Sequence, residues 1–169
     1  MKKLFLLGAL ISVVASSTMV FATDYTKMDK EASTEITYEN EEGYYLTMPT
    51  EVTLSTTAVE NELAVTEVRL ASGRNLTVTM ASANYGKVKA DKYQVVYDND
   101  SRITYTVKKG ATGAVDTEVT ENNHELININ AGTTESKIYL TFTTTDDEIE
   151  EATKAGEHKD VLTFTVDVQ

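Results

Sequence analysis

The stretch Asn75-Leu76-Thr77-Val78-Thr79-Met80 alternates strictly, with Leu76, Val78 and Met80 on one side of an extended chain and Thr77 and Thr79 on the other. Successive side chains of a strand point to opposite faces, so a period of two predicts a β-strand with one face in a core and the other in water. Three more stretches repeat the pattern. Ile103, Tyr105 and Val107 alternate with Thr104 and Thr106; Ile138, Leu140 and Phe142 alternate with Tyr139, Thr141 and Thr143; Leu162, Phe164, Val166 and Val168 alternate with Thr163, Thr165 and Asp167.

Shorter or less regular candidates are Thr34 to Glu39, Tyr44 to Met48, Val52 to Ser55, Leu63 to Leu70, Gln94 to Tyr97, Ala114 to Thr120 and Leu126 to Asn130. Turn residues separate most of them, including Glu42-Gly43, Ser72-Gly73, Asp98-Asn99-Asp100, Lys109-Gly110 and Ala131-Gly132. A parallel sheet needs crossover helices, and the nearest helical stretch is acidic Asp146 to Ala155, long enough for a turn or two on a loop. Many short strands with one solvated face predict an all-β fold, an antiparallel β-sandwich of immunoglobulin-like or fimbrial-like Greek-key type. Thr, Val and Tyr enrichment and a single proline, Pro49, suit pleated, half-buried surfaces.

The start of the chain reads as an export signal. Lys2 and Lys3 precede an apolar run from Leu4 to Ala15, then small and polar Ser16, Ser17 and Thr18, and Val20-Phe21-Ala22 supplies the small-residue pattern for cleavage before Thr23. The run is too short to span a bilayer, which takes roughly 20 apolar residues. The expected organisation is a signal peptide over 1–22, a polar tail over 23–32 and one sandwich domain over 33–169. Removing 22 of 169 residues leaves 147, enough for one domain with a proper core, and losing two lysines takes the formal charge from −12 to −14. So acidic a chain repels nucleic acid and anionic lipid, which excludes both as expected partners. With no cysteine, no second apolar segment and no LPxTG-like sortase signal in the sequence, the mature chain is expected to be secreted and soluble, or held at the cell surface non-covalently.

Two segments carry a family likeness. Tyr44-Tyr45-Leu46-Thr47-Met48-Pro49-Thr50-Glu51-Val52-Thr53-Leu54 resembles the YTVTIPxxVTL opening of secreted Gram-positive surface proteins, some related to WxL-type domains. Ala155-Gly156-Glu157-His158-Lys159-Asp160-Val161-Leu162-Thr163-Phe164-Thr165-Val166 is similar to the AGxYxDTLTFTV close of those proteins and of many fimbrial sandwiches. The chain has no Trp and so lacks the WxL tryptophan motif. The resemblance implies a cell-surface or matrix role and transfers no functional residue.

The chemistry-bearing residues are few. Nucleophilic catalysis needs an activated Ser, Cys or Thr beside an oriented base; Cys is absent, no G-x-S-x-G elbow occurs, and the only histidines, His124 and His158, sit in predicted turns among charged neighbours, which reads as surface placement. Single scattered glycines cannot form a phosphate cradle. Zinc would need carboxylates in place of the missing cysteines. Calcium, which takes hard oxygen ligands from acidic loops, has candidate ligands in Asp98, Asp100, Asp146, Asp147 and Glu148, without EF-hand spacing. Tyr85, Tyr93 and Tyr97 are the candidate residues for stacking on a sugar ring.

These features point to a non-enzymatic, structural or adhesive surface or matrix protein with no cofactor, whose partners are other surface proteins or copies of itself, built into a fibre by strand addition at sheet edges. The alternative is an extracellular ligand-binding module, with carbohydrate as its ligand.

Overall fold

A computed structural model describes residues 37–38, 41–87, 89–97 and 101–169. The expected signal peptide and tail, most of the Thr34 to Glu39 candidate and the Asp98-Asn99-Asp100 turn lie outside the described residues.

The sandwich lies within the unit from Asn40 to Gln169. In chain order its elements are β1 (Gly43–Thr47), β2 (Asn61–Arg69), β3 (Asn75–Ser82), β4 (Tyr93–Tyr97), β5 (Ser101–Ala111), β6 (Ala114–Glu118), β7 (Glu125–Asn130), β8 (Ser136–Thr143), α1 (Asp146–Glu150) and β9 (Leu162–Val168). They form two antiparallel sheets. One runs β1-β2-β8-β5-β4, with β6 also paired to β5; the other runs β7-β3-β9. Only β1–β2 and the run β4–β5–β6 pair with sequence neighbours, while β8 is inserted between β2 and β5 and β9 returns to β3.

Three of the four alternating stretches supply the centre. Leu76 and Val78 of β3, Val107 of β5 and Leu140 of β8 have no exposed surface, and Met80, Tyr105 and Phe142 are nearly as buried. Each such side chain contributes about 1.5–3 kcal/mol by leaving water. Of the threonines alternating with them, Thr77, Thr79 and Thr106 are partly exposed, whereas Thr104 and Thr141 are themselves nearly buried.

Bulges explain why the other strands are hard to read as alternating. In β2, Leu63 and Val65 point inward, but the next core residue is Val68, one position out of phase. Between the pairs Tyr45↔Thr66 and Gly43↔Arg69, β2 has two residues against one in β1, and the extra residue Glu67 adopts φ 51°. The bulge moves Val68 onto the core face. In β7, the pairs Val78↔Ile127 and Thr79↔Glu125 leave Leu126 as the extra residue, so adjacent Leu126 and Ile127 are both buried. A third bulge lies between β5 and β6, where a Cβ on Gly110 would stand 2.1 Å from the Ala114 carbonyl oxygen. Only glycine permits that approach.

The Val52 to Ser55 candidate is not a strand. Val52 and Leu54 pack at the margin of the core, and Ser55 makes a single parallel bridge to Thr143, its carbonyl accepting from Thr144 N–H at 3.1 Å. The helical stretch is the five-residue α1, whose N-cap Thr145 accepts from Glu148 N–H.

Candidate functional site

The alternation of β9 has an unusual outcome: Leu162, Phe164, Val166 and Val168 pack against the core, yet each is only half-buried, whereas Met80, Val78 and Leu76, the β3 partners of the last three, are closed off from solvent. The strand is the edge of its sheet, with β3 on one side and no strand among the described residues on the other. The register shows which backbone groups face that open side. Asn75 and Gln169 exchange both backbone hydrogen bonds at 2.9 Å, and Ala83 N–H donates to Val161 carbonyl. With Thr77↔Asp167, Thr79↔Thr165 and Ala81↔Thr163 in the same unbroken register, the odd-numbered residues of β9 bond inward to β3. Residues opposite one another alternate between bonded and non-bonded pairs in an antiparallel ladder. The N–H and C=O groups of Leu162, Phe164 and Val166 therefore point outward, above side chains that still have apolar surface to bury.

Both ends of this edge are closed. At the C-terminal end, the outward carbonyl of Val168 accepts from Arg74 Nη2 at 2.9 Å, and Arg74 Nη1 is held by Glu42 at 2.9 Å, whose other oxygen accepts Ala71 N–H. At the N-terminal end, Lys159 and Val96 exchange backbone hydrogen bonds, tying the chain before β9 to β4 of the opposite sheet. Asp160 anchors this crossing: its Oδ2 accepts from Tyr105 at 2.6 Å and from Ser82 at 2.7 Å, while Oδ1 accepts Val161 N–H. Burial, with the Asp160 hydrogen bond and charge adding to it, pushes the Tyr105 phenol far above its ordinary range.

Tyr85 and Tyr93 are brought together, edge to face at a centroid distance of 4.8 Å, and Tyr93 continues into the core against Tyr105 at 5.5 Å. They border a cleft of about 590 Å³ between the loop 84–92 and the turn after β6. Local chemistry sets the loop: Gln94 is wholly buried on β4 and its Nε2 donates to the carbonyls of Lys89 and Lys92, Gly86 N–H donates to Lys92 carbonyl, and Asp91 turns the chain at φ 57°. Burial first, then the neighbouring Tyr85 and the charges of Asp160 and Glu118, pushes the Tyr93 phenol up to about 12.

Tyr97 is not part of that group. Its ring lies 5.8 Å from His158 and against Gly156. Sequence reading placed both histidines at the surface; His124 is exposed, but His158 is half-buried, with Nε2 2.9 Å from Ser101 Oγ and Nδ1 3.1 Å from the Gly156 carbonyl. A serine, an imidazole and an orienting oxygen have the connectivity of a nucleophile and its base. Ser101, however, is 1% exposed, and its Oγ also accepts Lys154 N–H at 3.1 Å. A covered oxygen with this bond set is a joint between the start of β5 and the loop before β9. Both residues are 57 positions apart, so no local pattern could have paired them.

Of the calcium candidates, Asp98 and Asp100 lie outside the described residues. Asp146, Asp147 and Glu148 form the first turn of α1. Glu148 pairs with Lys89 at 3.0 Å, and hydrogen bonding from Thr104 together with that ammonium holds its carboxyl below the usual range. Among the described residues no three His, Cys, Asp or Glu side chains converge on a metal-sized site. No helix among them is long and apolar enough to cross a membrane.

No family model and no curated protein matches the chain. Among solved structures it is similar to the P pilus rod subunit PapA, with a TM-score of 0.41 and 10% identity over 67% of this chain and 79% of that one.

Proposed function

We propose that the chain is a secreted, non-enzymatic structural subunit of a surface or matrix assembly, joined copy to copy by adding a strand to the open edge of β9. The observation that carries this reading is the outward backbone of Leu162, Phe164 and Val166 above a half-buried apolar row. An added strand would satisfy those groups and complete the burial of the row, giving affinity through the backbone and specificity through alternate side chains. The closed ends favour a short added segment that ends at Arg74 on one side and at Lys159 on the other. The overall negative charge keeps free subunits apart in solution.

Purified mature protein, viewed by negative-stain microscopy and sized by light scattering over a concentration series, tests the proposal. Filaments or ordered oligomers are expected. Val166→Pro removes an outward N–H without touching the ladder to β3, so it should abolish assembly and leave the monomer folded. Monomers at every concentration, or filaments unchanged by Val166→Pro, would overturn the proposal.

A further inference from the structure

We propose that the cleft between the loop 84–92 and the turn after β6 is a binding site for a short neutral oligosaccharide. It lies at the end of the sandwich where β3 and β4 meet the 121–124 turn, and it is separate from the β9 edge. Its volume, about 590 Å³, falls within the roughly 300–1,000 Å³ of small-molecule sites.

The inner wall is apolar and packed onto the core. Tyr93 is 4% exposed and wedged between Tyr85 and Tyr105, and Met80 beneath is 2% exposed. Tyr85 is half-buried and leaves part of its ring on the cleft. The negative face of an aromatic ring attracts the positive C–H edges of a pyranose, as it attracts the edge of another ring. One polar group on this wall has no use in the fold. The Tyr93 hydroxyl makes no hydrogen bond with any described residue and, unlike the ring behind it, is not closed off from solvent, so a ligand hydroxyl can take the place of water as its partner.

The rim carries both donors and acceptors: Lys87 on one side, Asp91 and Glu121 as carboxylates, and His124, whose Nε2 is free of hydrogen bonds among the described residues. Neither the Asp91 nor the Glu121 carboxylate is ion-paired among them. A sugar hydroxyl donates and accepts at once, and a rim that mixes both suits it. Two carboxylates against one ammonium repel an anionic ligand, which selects neutral saccharides over uronates, phosphates and sulfates. Among the described residues, Gln94 ties down Lys89 and Lys92 and the Gly86–Lys92 hydrogen bond joins the two flanks of the segment, which lessens the ordering a ligand must impose.

The test is titration of isotope-labelled mature protein with maltotriose, cellotriose, chitotriose and, as an anionic control, trigalacturonate, followed by NMR. At least one neutral trisaccharide should shift the Met80 methyl, the Tyr85 and Tyr93 rings and the His124 imidazole together, and trigalacturonate should not. Tyr93→Phe deletes a hydroxyl that the fold does not use, so the protein should stay folded and bind about three- to tenfold more weakly. Tyr85→Ala should weaken binding further. Shifts from trigalacturonate alone, no shift at these residues from any neutral sugar at millimolar concentration, or equal affinity in Tyr93→Phe each overturn the inference. None of these readouts depends on whether copies assemble through β9.

Discussion

Two adjacent proline substitutions in β9 should differ sharply in their effect on stability, because neighbouring residues of this strand send their backbone groups in opposite directions. Thr165 faces Thr79 in a bonded pair. Thr165→Pro deletes the donor, leaves the Thr79 carbonyl without its partner at about 1–3 kcal/mol, and drives the proline ring against that carbonyl, which adds strain of about 1–3 kcal/mol more. The total is about 2–6 kcal/mol, a large part of a stability that is typically about 5–15 kcal/mol. Val166→Pro deletes an N–H that points away from β3. It loses only part of a half-buried valine, about 1 kcal/mol, and stiffens the unfolded chain, which offsets about 0.4–1 kcal/mol. Urea unfolding of both variants, followed by circular dichroism, measures the difference. With slopes of about 1–3 kcal/mol per molar urea, Thr165→Pro should lower the midpoint by about 0.5 M or more relative to Val166→Pro. Equal midpoints, or a larger loss at Val166, would refute the register argument and with it the open edge.

Three further outcomes follow from the packing. Gly110→Ala places a methyl 2.1 Å from the Ala114 carbonyl, so the β5–β6 hairpin should open at a cost of about 1–3 kcal/mol, read from urea unfolding and from faster amide exchange at Val115 and Thr117. Asp160→Asn exchanges one of two acceptor oxygens for a donor at a site where Tyr105, Ser82 and Val161 all donate; a loss of about 1–3 kcal/mol is expected, with exchange rising at Lys159 and Val96, whereas Asp167→Asn on the exposed face should change stability by less than about 0.5 kcal/mol. Tyr93 and Tyr105 both hold their protons to higher pH in the folded state than in the unfolded one. Their contribution is fully present below pH 10 and is lost as pH rises above it, because the unfolded chain then releases protons that the folded one keeps. Unfolding midpoints should therefore fall between pH 10 and 12, and Tyr93→Phe should flatten that fall.

Strand positions were legible wherever alternation ran unbroken, as in Leu76 to Met80 and Leu162 to Val168, because burial of one face writes directly into the order of residues. They were less legible at Leu63 to Leu70 and Leu126 to Asn130, where a bulge adds one residue and shifts the phase. The bulge is a property of two strands in register, and a single strand does not display it. Val52 to Ser55 alternates but makes only the single bridge from Ser55 to Thr143, and one bridge is not a ladder.

By itself the sequence determined the all-β class, the identity of the central core residues and the acidic, cysteine-free character, all of which depend on residue type and local spacing. Pairing was decided only by the tertiary structure. It made β9 an edge, aimed the backbone of Leu162, Phe164 and Val166 outward, joined Ser101 to His158 and Tyr105 to Asp160, and separated Tyr97 from Tyr85 and Tyr93. Each of these depends on which distant strand lies alongside, a choice made by the summed packing of two sheets, which no local stretch of residues encodes.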